Sequence, residues 1–170
     1  MKNAGLMMFL VICFCLTVIA QDTVSWKTLS PSWDEFTVEL PDNSYVESIN
    51  KEGTGSYTAF ANKTYYFIFT GKPTDYPAFG TIINYAGDNK SVIKKIVIGG
   101  IKGDRYSFGD AEGFYHDFIV LRTSKRNYMF QTISELNRNP DTKKFLSSIK
   151  FDQPRTEKEE ITNPVAKTDP

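Results

Sequence analysis

The chain has 170 residues, 20 basic and 20 acidic side chains, one histidine and a formal net charge of zero. A nucleic-acid-binding domain of this size usually shows a pI above about 9, and the value of 6.6 here argues against nucleic acid as a partner. Aromatic residues make up 14% of the chain and fall in short runs of the kind that strands use.

Leu6 to Ala20 form one apolar run behind Lys2, and the chain turns polar at Gln21-Asp22. A basic start, an apolar stretch and the end Val18-Ile19-Ala20 read as a secretory signal peptide over residues 1–20. Fifteen helical residues reach only about 22 Å at ~1.5 Å each. The hydrocarbon core of a bilayer needs ~30 Å, so a cleaved leader fits better than an anchor. Cys13 and Cys15, the only cysteines, both lie in the run. They follow the large residues Ile12 and Phe14, where a lipid-modified cysteine needs a small neighbour. The expected mature chain starts near Gln21, is secreted or periplasmic, lacks cysteine and has no membrane span. Thiol catalysis, disulfides and thiolate metal sites fall away with the leader. Removing Lys2 leaves 19 basic against 20 acidic side chains, a charge of −1.

A strand-rich body follows. Trp26 to Ser30 and Phe36 to Leu40 are short strand candidates on either side of a turn-like Pro31-Ser32-Trp33-Asp34-Glu35. Residues 55–61 and 64–70 make a second pair joined near Asn62-Lys63. The later strand is apolar on both alternating faces, which predicts cover on both sides of its sheet. Phe79, Ile82, Ile83 and Ala86 recur at helical spacing, so residues 76–86 read as an amphipathic helix with Asp75 as N-cap and Gly87 as C′.

Val92 to Ile98 reads as a strand running into Gly99-Gly100, and Asp104 to Phe108 as a weaker one. The glycines at 99, 100 and 103 suit a tight turn or a bulge; they spell no phosphate loop. Phe114 to Thr123 and Arg126 to Ser134 form the clearest hairpin, with Ser124-Lys125 near its tip. In it Phe118 and Val120 face one way, Ile119 and Leu121 the other. Asn139-Pro140 is an N-cap and N1 pair, followed by apolar Phe145, Leu146 and Ile149 on one helical face, and Ile149 to Phe151 close as a last strand. The final stretch, residues 152–170, holds three prolines, the run Glu157-Lys158-Glu159-Glu160 and few apolar side chains. Ordering it would cost ~1–2 kcal/mol per residue against ~1.5–3 kcal/mol for each buried Ile161 or Val165, so a disordered tail is expected.

Three segments together resemble the PsbP/DcrB-type domain: Trp26 with Phe36-Thr37-Val38-Glu39-Leu40-Pro41, the glycine stretch Ile98 to Gly103, and the closing Lys144 to Phe151. The resemblance covers most of 24–151. It implies an exported α+β domain, an antiparallel sheet with helices packed on it as an α/β/α sandwich, and an accessory or binding function. It carries no catalytic residue and no cofactor across, and the chain lacks the lipidated cysteine of DcrB.

His116 is the one candidate general base. Its neighbour Asp117 should point to the opposite face of a strand, leaving Asp104, Asp110 or Glu112 as carboxylates that could reach it. A structural histidine is the plainer reading, and no Gly-x-Ser-x-Gly elbow accompanies it. One histidine and no mature cysteine leave structural zinc without its usual ligands, and Asp110-Ala111-Glu112-Gly113 lacks calcium-loop spacing.

Two basic neighbourhoods remain: Lys94, Lys95, Lys102 and Arg105, then Arg122, Lys125 and Arg126 at the hairpin tip. Lys102, Arg105, Arg122, Lys125 and Arg126 are candidate contacts for an acidic partner, although edge strands and hairpin tips also carry charge to stay soluble. Asn62 and Asn89 head glycosylation acceptor sequences, relevant in a eukaryotic host. The functional expectation is a secreted, non-enzymatic binding or accessory domain for an unknown protein or small ligand. Two alternatives are a carrier of a small apolar ligand, its pocket lined by Tyr65, Phe67, Tyr106, Phe114 and Tyr128, and a weak hydrolase.

Overall fold

A computed structural model describes residues 24–31, 35–42, 46–49, 54–135 and 139–151. The expected leader, both cysteines and the expected tail lie outside the described residues. The chain opens with β1 (Trp26–Leu29), β2 (Phe36–Pro41), β3 (Val46–Ile49), β4 (Gly55–Ala61) and β5 (Thr64–Gly71). A 3-10 turn at Pro73–Asp75 leads into α1 (Tyr76–Asp88). Then follow β6 (Val92–Ile98), β7 (Ile101–Gly109), β8 (Tyr115–Arg122), β9 (Asn127–Ser134), α2 (Pro140–Ser147) and β10 (Lys150–Phe151).

Among the described residues seven strands pair in the order β3-β4-β5-β9-β8-β7-β6, and β1-β2-β10 make a second, smaller sheet. Every pairing is antiparallel. The fold is therefore strand-rich α+β, built on antiparallel sheets. Among the described residues no helix is long and apolar enough to cross a membrane.

The large sheet is covered on both faces, as its two-sided apolar strands require. On one face, Phe36, Val38 and Leu40 of β2 pack with Phe145, Leu146 and Ile149 against Tyr66, Ile68, Ile119, Leu121 and Phe130. Rings meet edge-on there: Phe36 lies 5.2 Å from Phe130, and Trp26 lies 5.7 Å from Tyr66. Such pairs add ~0.5–1.5 kcal/mol each beyond burial. On the other face, Phe79 and Ala86 of α1 cover Tyr106, Phe108, Phe118, Val120 and Met129. The alternation expected within β8 is the one observed. One covering layer is a helix, and the other combines a three-stranded sheet with α2.

Three turns explain the local register. Asn62 and Lys63 both have positive φ, 48° and 57°, and close the β4–β5 hairpin. Gly99 and Gly100, at φ 54° and 81°, do the same between β6 and β7, pairing Ile98 with Ile101. A Cβ at Gly99 would also lie 2.8 Å from that of Phe151, so glycine is needed there for space as well. The third turn corrects the helix end. Gly87 lies inside α1, and the left-handed residue is Lys90, at φ 53°. Ser91 N–H donates to Ala86 O and Lys90 N–H to Gly87 O, a Schellman closure in which lysine takes the place usual for glycine. Asp75, expected as N-cap, falls in the 3-10 turn, and its side chain lies outside the described residues. Strand β3 was not foreseen, and β7 is longer than expected.

Candidate functional site

The small sheet covers only part of its face. Toward the β6 edge a cleft of about 700 Å³ stays open between the large sheet and the start of α2. Arg105, Ser107, Tyr115 and Asp117 form its floor, and Val92 and Lys94 of β6 one side. Asn139, Pro140, Thr142 and Lys143 form the facing wall.

That wall is anchored by the residue that caps α2. Asn139 Oδ1 accepts from Asp141 N–H at 2.9 Å, the N-cap bond, with Pro140 at the first helical position. Its Nδ2 donates to Thr64 Oγ1 at 2.7 Å and reaches Ser134 Oγ at 3.4 Å, tying the helix start to β5 and β9. Asn139, Thr64 and Ser134 are all buried.

The floor is held by a charge pair. Asp117 takes Arg105 Nε on Oδ1 at 2.8 Å and Nη2 on Oδ2 at 2.5 Å. This is the two-point carboxylate–guanidinium geometry, stronger than neutral hydrogen bonds. Ser107 Oγ adds a bond to Oδ1 at 3.2 Å. The hydrogen bond to Asp117 raises the Arg105 pKa above its ordinary value despite partial burial. The Asp117 side chain is 7% exposed and that of Arg105 37%, so the guanidinium is the member that meets the cleft.

A second pair lies on the opposite face of β8. His116 Nε2 sits 2.7 Å from Asp110 Oδ2, and Nδ1 faces the Gln131 amide at 3.5 Å. Phe108 stacks on the imidazole at 4.7 Å, and Tyr85 meets it edge-on at 5.7 Å. Burial pushes the Asp110 carboxyl up. Hydrogen bonds from His116 and the Phe114 N–H, with the charge of His116, outweigh that and hold it below the usual range. Burial and the nearby Asp110 and Glu112 push the Tyr85 phenol up. Of the three carboxylates considered for His116, Asp110 is the one that reaches it. Asp117 turns away, as strand alternation requires.

The basic neighbourhoods divide along the same alternation. Lys94 stands opposite Arg105 in register and shares the cleft with it. Lys95 stands opposite Asp104, pairs with it at 2.7 Å, and lies with Lys102 and Arg122 along a shallow groove on the α1 side. Lys125 approaches Glu35 at 4.0 Å, and the hairpin tip is pinned by Thr123 Oγ1, which accepts from Arg126 N–H at 2.8 Å. Lys102, Arg105, Arg122, Lys125 and Arg126 are thus not one surface. The five aromatics considered for a carrier pocket are divided too. Tyr128 is buried with the small sheet, Tyr106 lies under α1, Tyr65 and Phe114 are exposed, and Phe67 is half-buried and stacks beside Tyr65 at 6.1 Å.

Asn62 sits exposed in its turn, where its Nδ2 donates to Asp141 Oδ2 at 2.7 Å. Asn89 is half-buried and bonds Tyr85 O at 2.9 Å. Among the described residues no group of three or more His, Cys, Asp or Glu could hold a metal ion.

Sequence reasoning missed Lys143, Thr142 and the cleft itself. The only signal for them was the cap Asn139-Pro140, which fixes where α2 starts but not what it faces.

No protein-family model matches the chain, and no curated protein matches it. A crystal structure of a protein from Bacteroides thetaiotaomicron VPI-5482 is similar at 15% identity and a TM-score of 0.39. The match covers 74% of this chain and 47% of that one, so this chain spans about half the length of that structure. At that score the likeness carries no argument.

Proposed function

We propose that this chain is a secreted, non-enzymatic binding or accessory domain of the PsbP/DcrB-like kind, with the α/β/α layering of that family, and that the cleft is its binding site. One observation carries the reading: the only histidine of the chain is turned away from the cleft. It is held by Asp110 and Gln131 under two rings, where it stabilises the fold. The cleft offers fixed polar groups around an open volume, the composition of a ligand site. The apolar leader supports secretion. A carrier of a small apolar ligand is the alternative, and it would use Val92, Tyr115 and Pro140 of the same cleft.

Protein recovered outside the cytoplasm, with an intact mass beginning near Gln21, is offered a panel of hydrolase substrates. No turnover is expected. Turnover abolished by His116→Ala, or native protein recovered from cytosol with Met1 still attached, overturns the reading.

A further inference from the structure

The charges around the cleft are unevenly placed. Among the described residues its lining carries three cations, Lys94, Arg105 and Lys143, and one carboxylate, Asp117. Three minus one is +2, in a chain whose formal charge is zero. Asp117 is already engaged on both oxygens by Arg105 and on one by Ser107. Lys94 and Lys143 are exposed, rise from facing walls, and have no carboxylate partner among the described residues. A ligand entering between sheet and helix therefore meets cationic side chains from both sides. Concave walls of low polarisability concentrate such a field on the opening.

Arg105 adds a directional element. Asp117 holds its Nε and one Nη2 proton, so Nη1 and the far side of Nη2 remain as donors in a fixed fork. Because the side chain is already held, little rotamer freedom is lost when a ligand binds. Arginine fixed in this way matches carboxylate and phosphate oxygens geometrically. Val92, Pro140 and the Tyr115 ring supply apolar contact beside the charges. The volume of about 700 Å³ is that of a small-molecule site rather than of an ion site.

We propose that the cleft binds a small organic anion, its carboxylate or phosphate group held by Lys94, Lys143 and the free edge of Arg105 and its apolar body against Val92, Tyr115 and Pro140. This deepens the binding-domain reading and rests on it.

The test is an amide-detected NMR titration of the purified protein at low salt with three probes: phenyl phosphate, benzoate and neutral benzyl alcohol. Both anions are expected to bind about tenfold or more tighter than the alcohol, shifting the amides of Ser107 and Thr142. Added salt should weaken them, because exposed lysines are screened. The Lys94→Gln/Lys143→Gln double variant should lose about tenfold in anion affinity, with Lys27→Gln, on the small sheet, unchanged. Whichever anion binds tighter assigns the head group. Benzyl alcohol binding as tightly as the anions, or a double variant that binds them unchanged, overturns the anion inference and leaves the binding-domain reading standing. Hydrolysis of phenyl phosphate that is lost in His116→Ala overturns that reading instead.

Discussion

His116 and Asp117 are consecutive on β8, and each is buried in a hydrogen-bonded side-chain pair, yet the two pairs have opposite settings. On the α1 side, both members of His116–Asp110 are almost fully covered, 8% and 6% exposed, with Phe108 and Tyr85 closing over them. On the cleft side, only the carboxylate of Arg105–Asp117 is covered, and the guanidinium looks out. A pair closed on both ends has spent its hydrogen-bonding capacity on the fold. A pair closed on one end keeps donors for something else. The contrast separates the structural pair from the candidate binding pair without reference to residue type, which by itself would have favoured the histidine.

Three experiments press on this contrast. The largest effect is expected from Phe118→Ala. That ring is fully buried beneath α1, stacked on Tyr106 at 4.8 Å and edge-on to Phe108 at 6.4 Å. Its truncation should cost ~3–5 kcal/mol by urea denaturation. A loss below about 1 kcal/mol would mean that the covered side is not packed as described.

Arg105→Ala comes next. It leaves the Asp117 carboxylate buried without its cation, and a broken buried pair costs ~3–5 kcal/mol. Because Arg105 is itself 37% exposed, about 2–3 kcal/mol is expected here. The Arg105→Ala/Asp117→Ala double variant should recover part of that loss. No recovery would show that the cost lies in the arginine's packing rather than in the stranded charge.

The smallest effect belongs to Asp110→Asn, about 1 kcal/mol at neutral pH from one weakened hydrogen-bond set. Its signature is in acid. The Asp110 pKa is held down in the folded state. Its contribution is therefore complete above the unfolded-state value near ~3.9 and is lost as pH falls through the lower folded value. Stability measured from about pH 5 to pH 2 should fall less steeply in the variant. Equal slopes would place the acid sensitivity elsewhere.

Local pattern made much of the fold readable. The β8–β9 hairpin shows in the alternation of Phe118, Ile119, Val120 and Leu121, because side-chain parity in a strand needs no knowledge of its neighbours. The cap at Asn139-Pro140 shows because its chemistry acts within three residues. What stayed hidden depends on partners distant along the chain. Lys94, Lys95, Lys102 and Arg105 look like one basic cluster in sequence, and parity alone could have divided them between two faces. That Arg105 is held by Asp117 required the β7–β8 register, which sets Ser107 opposite Asp117 and Arg105 one step along the same face. The facing wall of the cleft required the docking of α2 through Asn139 onto Thr64, 75 residues earlier.

The small sheet has a further consequence. Its middle strand, β2, is flanked by β1 and by β10, so the first and last described strands meet on either side of it. Glu39 N–H donates to Ser148 Oγ across 109 residues. A chain emerging from the ribosome N-terminus first must keep Phe36, Val38 and Leu40 waiting until the final strand arrives. Long-range closure of this kind slows folding. Chains released before Phe151 would leave one edge of β2 unpaired, as loss of β1 would leave the other.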